Sequence, residues 1–200
     1  MAKRGRPAGV NSEQTKAKII DAARLEFADN GYDGASITSI AGNVGIAPSA
    51  IYHYFQSKEK LYTEAFKQTS TAIWDSVTPA EEAKTLLEAM ANLLENSRKI
   101  ATDLPSFSDF LASLPIEARM HPEFSDLLQQ RADHQDRTFR RLACIGIESG
   151  EIDFLSEDEA TELIRSIVMG WFFERHFRQE EIPKSAESIL AMFEHLLNSR

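Results

Sequence analysis

Apolar residues recur along this chain at three- and four-residue steps, and no stretch alternates convincingly in twos. The pattern predicts an all-α protein of about nine helices. A first helix over 13–29 has Ser12 as its N-cap, turns Ile19, Ile20, Ala23 and Phe27 inward, and ends at Gly31. A second runs over 37–44, with Ser36 able to accept from an orphan N–H of the first turn and Gly45 placed where a left-handed residue is wanted. A third begins at Pro48, whose missing N–H costs nothing at that position. Ile40, Val44, Ile46, Ile51 and Phe55 would close the second and third helices on one small core. Ser57 caps a fourth, over 58–76, which Thr78-Pro79 ends.

Beyond it the pattern predicts a fifth helix over 81–101, carrying Leu86, Leu87, Met90, Leu93 and Leu94, and a short sixth bracketed by Pro105 and Pro115. Pro122 opens a long seventh that Gly150 closes. Ser156 and Glu159 form a capping box before an eighth, which reaches about Gln179, and Pro183 starts a ninth. Ile164, Ile167, Val168, Met169, Trp171, Phe172 and Phe173 cover almost the whole circumference of the eighth helix, so it must be buried on more than one side. One arrangement pairs helices eight and nine with those of a second copy, through Trp171, Ile189, Phe193, Leu196 and Leu197. The other is a thick core within one chain.

The outer face of the third helix offers Ser49, Ala50, Tyr52, His53 and Tyr54. Small, hydroxyl-bearing and aromatic polar groups suit a surface laid in a DNA major groove, and the two tyrosine hydroxyls suit phosphate oxygens. Residues 36–62, SITSIAGNVGIAPSAIYHYFQSKEKLY, thus have the layout of a helix-turn-helix followed by the start of a long helix. The stretch resembles the DNA-binding domain of TetR/AcrR-type transcriptional regulators. The likeness lies in Ile40-Ala41, the turn Gly45-Ile46, Ile51-Tyr52-His53-Tyr54-Phe55 and Ser57-Lys58-Glu59-Lys60-Leu61, with Ala22-Ala23, Phe27 and Gly31-Tyr32 upstream. It covers about residues 12–66. By this resemblance Thr38, Pro48, Ser49, Ala50, Tyr52, His53, Tyr54 and Lys58 stand where the family meets DNA. Two departures weaken helix starts: Ser39 replaces an acid that would complete a capping box, and Ala47 replaces a Ser or Thr, each a loss of about 1 kcal/mol.

Charge changes the picture by dividing the chain. The net charge is −9. Residues 1–62 carry 8 Lys/Arg against 6 Asp/Glu, hence +2, and the remainder carry 14 against 25, hence −11. The N-terminal third is the part suited to phosphate. Within it, Lys3-Arg4-Gly5-Arg6-Pro7 contains the core of an AT-hook, whose arginines can enter a narrow A·T minor groove; the alternative is a basic tail without groove preference. The domain reading is a flexible basic arm (1–11) bearing Arg4 and Arg6, a helix-turn-helix DNA-binding domain (12–57), and a helical ligand-binding and dimerisation domain (58–200).

The apolar share is 42%, as in ordinary soluble proteins, and Cys144 is the only cysteine. The longest dense apolar run, Ile167–Phe173, is far short of the roughly 20 residues a bilayer span needs, so the expected location is the cytoplasm, without a membrane partner. The five histidines show no metal spacing, Ser57-x-x-Lys60 is better read as a helix start than as an acyltransferase motif, and neither a phosphate loop nor a nucleophile elbow is present. No cofactor, metal or catalytic activity is expected.

The seventh helix carries a different signal. Arg131 and Gln135 interrupt its apolar stripe of Phe124, Leu128, Phe139 and Leu142, and a polar group on a buried face must be satisfied by protein or by ligand. Both are candidate ligand anchors, although Arg131 could instead snorkel to a neighbouring carboxylate. Phe107, Phe110, Phe124, Trp171 and Phe172 could line a cavity among helices five to eight or be plain core. The expectation is a homodimeric, ligand-responsive repressor of a near-palindromic double-stranded operator, released by a small amphipathic effector. An anion such as a fatty acid or an aromatic acid fits Arg131 best. The rival reading is an architectural DNA-binding protein with no effector.

Overall fold

The computed structural model describes residues 8–178 and 185–198. Among these it has nine α-helices and no strand: α1 (Ala8–Gly34), α2 (Ile37–Val44), α3 (Pro48–Phe55), α4 (Lys58–Glu81), α5 (Leu86–Asp103), α6 (Pro105–Met120), α7 (Ser125–Glu148), α8 (Glu157–Arg178) and α9 (Ser185–Asn198), with a 3₁₀ turn over Pro122–Phe124. The chain packs as two compact units. One takes the described part of Met1–Ser70 with Asp109–Leu127; the other takes Thr71–Ser108 with the described part of Leu128–Arg200. This partition by packing differs from the division by function into 12–57 and 58–200.

The first unit is built on aromatic contact. The inward face of α1 buries Ile19, Ile20, Ala23 and Phe27; α2 and α3 add Ile40, Ala41, Ile51 and Phe55; α4 adds Leu61, Tyr62, Ala65 and Phe66. Phe27 meets the Tyr62 ring edge-on at 5.0 Å, and Tyr62 stacks on Phe124 at 4.3 Å. Each fully buried large side chain of this kind contributes about 2–3 kcal/mol. The second unit closes α5, α7, α8 and α9 on Leu86, Met90, Leu93, Phe139, Leu142, Ile164, Val168 and Phe193.

Several boundaries differ from the sequence reading. Helix α1 starts at Ala8, so Ser12 lies inside it. Gly31, at φ 67°, is the residue that breaks it. Pro79 lies inside α4 and does not stop it: its missing N–H removes one backbone bond, that to the Asp75 carbonyl, and the Asn96 and Asn92 side-chain amides tie the same turn to α5 by donating to the Ser76 and Pro79 carbonyls at 2.8 and 3.2 Å. Helix α5 starts at Leu86, since Thr85 accepts from the Glu88 N–H at 3.2 Å and the Glu151 carboxylate accepts from Leu86 and Leu87. Pro115 lies inside α6, and Pro122 opens the 3₁₀ turn. The Ser156–Glu159 capping box forms as expected, with Ser156 N–H donating to the Glu159 carboxylate at 2.9 Å. Pro183 lies outside the described residues.

Candidate nucleic-acid interface and buried cavity

The second and third helices are positioned from both ends. Ser36 accepts from the Ser39 N–H at 3.3 Å, and Gly45, at φ 75°, closes α2 with N–H bonds back to Ala41 and Gly42. The acid absent at position 39 is supplied by tertiary structure. Glu26 of α1 accepts from the Ser36 N–H at 2.9 Å and from the Ser39 hydroxyl at 2.7 Å. The capping box is therefore completed across two helices, and the loss expected from Ser39 is offset. Ala47 makes no such bond, and α3 starts on Pro48 alone.

With Ile51 and Phe55 buried, Pro48, Ser49, Tyr52 and His53 are exposed and Ala50 and Tyr54 half-buried. Thr38 is exposed on α2. Lys58, at the first turn of α4, donates to the Asp33 carbonyl at 3.2 Å and lies 4.9 Å from the centre of the Tyr32 ring. Thr38, Pro48, Ser49, Ala50, Tyr52, His53, Tyr54 and Lys58 all keep solvent access. Arg4 and Arg6 lie outside the described residues.

Behind this face, the turn before α2 is held by the end of α6. Glu117 accepts from the Tyr32 N–H at 2.9 Å, and a side chain on Gly31 would meet the same carboxylate at 2.9 Å. His121 sits 3.4 Å from Asp33, 3.8 Å from Glu117 and 3.6 Å from Glu123, with its ring edge-on to Tyr32. No sequence feature flagged His121 or Glu117, because their contacts with Tyr32 and Asp33 join residues more than 80 positions apart.

The second unit contains a cavity of about 100 Å³. Its walls are Ile73, Trp74, Ser76 and Val77 of α4; Leu93, Ser97 and Ile100 of α5; Ser108 of α6; Arg131, His134, Gln135, Thr138 and Phe139 of α7; and Val168, Met169 and Phe172 of α8. Arg131, Gln135 and Phe172 are therefore where the sequence placed them. Phe110 and Phe124 are not: both are fully buried in the aromatic core of the first unit, packed on Tyr62. Phe107 and Trp171 do not line the cavity either. Trp171 is buried core, and its indole N–H has no partner among the described residues. Phe110, Phe124 and Trp171 fill core volume instead.

Sequence reasoning missed Trp74 and His134, whose rings stack at 4.1 Å. Their spacing gave one usable clue: Arg131, His134, Gln135 and Thr138 lie at steps of three, one and three, on one face of α7. Burial, and then the nearby Arg137 charge, hold the His134 imidazole below its usual range. Gln135 donates to the Met169 sulfur at 3.4 Å, and Thr138 donates to Glu81 at 2.6 Å. Arg131 is 8% exposed and makes no hydrogen bond or ion pair with any described residue. Burial alone lowers its pKa to about 10, so the guanidinium is still charged at neutral pH. Among the described residues no carboxylate meets it, so the snorkelling alternative finds no partner there.

The dimer residues also divide. Phe193 is buried in the chain's own core and Ile189 packs against that core. Leu196 and Leu197 lie beyond the described side chains. Among the described side chains of α8 and α9, the large apolar residues left exposed are Leu163 and Met192, at 47% and 44%.

Residues 19–65 match the family model of bacterial regulatory proteins of the tetR family. The chain is 27% identical over 172 residues to the HTH-type transcriptional repressor AcnR of Corynebacterium efficiens, covering 83% of this chain and 82% of that one. It is 40% identical over 52 residues to IcaR of Staphylococcus aureus, the negative transcriptional regulator of a biofilm operon, covering 26% of this chain and 28% of the relative. The fold is similar to that of the regulator FadR of Bacillus subtilis in complex with stearoyl-CoA, at TM-score 0.69 and 22% identity, covering 92% of this chain and 98% of that one. Among the described residues, no helix is long and apolar enough to cross a membrane.

Proposed function

The chain belongs to the TetR family of DNA-binding transcriptional regulators, and from that premise we propose that it represses transcription from a near-palindromic operator and is released by a small-molecule effector. The observation that carries this reading is the solvent-facing surface of α3, where Pro48, Ser49, Tyr52 and His53 are exposed while Ile51 and Phe55 anchor the helix from behind. Ser49 and His53 are the base readers. Thr38, Tyr52, Tyr54 and Lys58 hold phosphate, Pro48 and Ala50 let the backbone approach, and Arg4 and Arg6 extend the contact into a flanking minor groove.

A second copy supplies the other half-site. Leu163, Ser166 and Gly170 share one exposed face of α8, and Met192 stands exposed on α9. We assign the dimer contact to this face, in place of Phe193 and Trp171. The cavity in the second unit is the effector site, and the effector acts by binding better to a conformer whose reading heads are wrongly spaced.

Selection from random duplexes tests the reading. The protein should enrich a two-fold-related site, with affinity falling steeply as salt rises. Tyr52→Ala should weaken binding to every sequence alike, whereas His53→Ala should alter the enriched bases. Equal affinity for the enriched site and a scrambled duplex would instead establish an architectural DNA-binding protein.

A further inference from the structure

We propose that the effector is a compact aromatic carboxylate, its anionic group held by Arg131 and its ring lodged in the apolar end of the cavity near Trp74 and Phe172. The inference rests on reading this cavity as the effector site and adds the chemistry that the site selects.

The cavity leaves one charge unanswered. Arg131 is buried to all but 8% of its surface, lines the empty space, and has no partner among the described residues. Glu81, which reaches the same face of α7, is already bound to Thr138 two turns away. An uncompensated buried cation is strongly unfavourable, and its planar fork of N–H donors matches the two oxygens of a carboxylate. Burial also lowers the guanidinium's pKa only to about 10, so protonation persists and the demand is for an anion. His134 and Gln135 flank Arg131 and can add neutral hydrogen bonds.

Size and shape narrow the class. A volume of about 100 Å³ is of the order that accommodates a single ring. Trp74, one face of which is stacked on His134, joins Phe139 and Phe172 as apolar walls. The acidic surface of this unit would repel an anion at long range, but that field is screened within about 8 Å in physiological salt, while the contact with a largely buried Arg131 is made at short range and is screened much less.

The test uses the full chain, with phenylacetate, phenylacetamide and phenethylamine as carboxylate, neutral and cationic probes of similar shape. Calorimetry and thermal shift should show phenylacetate binding at least tenfold tighter than the other two. Arg131→Met should abolish that preference while melting at or above the wild-type temperature, because it removes an unpaired buried charge. Unchanged phenylacetate affinity in Arg131→Met, tighter binding of the amine, or no binding by phenylacetate would each overturn the proposal. An Arg131→Met chain that melts well below wild type would do the same, by showing the guanidinium to be structural. Operator release is read separately, by fluorescence anisotropy. Arg131-dependent phenylacetate binding that leaves operator affinity unchanged would overturn the effector reading and keep the carboxylate site. Release by the amine alone would keep the effector reading and overturn the carboxylate.

Discussion

Among the described residues each unit buries one arginine, and the two differ in what surrounds them. Arg24, 5% exposed in the first unit, donates to Asp21 at 3.0 Å and to the Thr69 hydroxyl at 2.8 Å. Burial lowers its pKa, and the Asp21 contact works against that shift. Arg131, 8% exposed in the second unit, has burial and nothing to offset it. The same contrast runs through each unit. The turn before α2 draws its bonds from Glu26 and Glu117. The second unit holds Arg131 inside with no such bond among the described residues. In the first unit the arginine and the turn before α2 are held by bonds within that unit, as suits the proposed role of presenting fixed donors to DNA. The second unit is where we propose a ligand and a second chain to bind.

The comparison can be broken most severely at the outer face. Leu163→Glu should give a folded monomer by sedimentation and lower operator affinity on the order of 100-fold, since two linked heads bind far better than one. A persisting dimer would place the contact elsewhere. Next comes the rigidity of the first unit. Gly31→Ala forces an alanine into a region open only to glycine and against Glu117, and should cost about 2–3 kcal/mol in urea denaturation.

The arginines themselves make the sharpest pair. Arg24→Met should destabilise by about 2 kcal/mol, because Thr69 and Asp21 lose a charged donor, whereas Arg131→Met should be neutral or stabilising by about 1 kcal/mol. Losses of equal size would erase the distinction. The smallest effect is a pH dependence. The folded-state pKa of His134 is lowered from 6.5, so the unfolded chain takes up protons first as the solution is acidified. Stability should be full above that value and decline as pH falls through it, and His134→Gln should flatten the slope.

Helices α2 and α3 were legible because their signals are local: Ser36, Gly45 and Pro48 act within a few residues of themselves. Arg131 was legible for a related reason, as a polar residue interrupting an apolar stripe. What sequence could not supply was the depth of each apolar face. Phe110, Phe124 and Phe193 have the same periodic spacing whether they line a cavity, meet a partner or fill a core, and only packing separates those fates. Pro79 and Pro115 also misled, since both lie inside helices, and the Asn92 and Asn96 amides that tie down the Pro79 turn come from α5.

The bond from Glu26 to Ser36 and Ser39 bears on how this protein can be recombined. The reading motif looks like a cassette of about twenty residues, 36–56, ready to be moved between scaffolds. Its first helix, however, takes part of its cap from a residue ten positions upstream of Ser36 on another helix. A chimera joined between 26 and 36 would inherit the recognition residues and lose the carboxylate that seats them, and its α2 would fray. Joined before residue 26, the same graft carries its own fastening. The smallest transferable reading head therefore begins inside α1, and a crossover placed by motif alone would cut it too short.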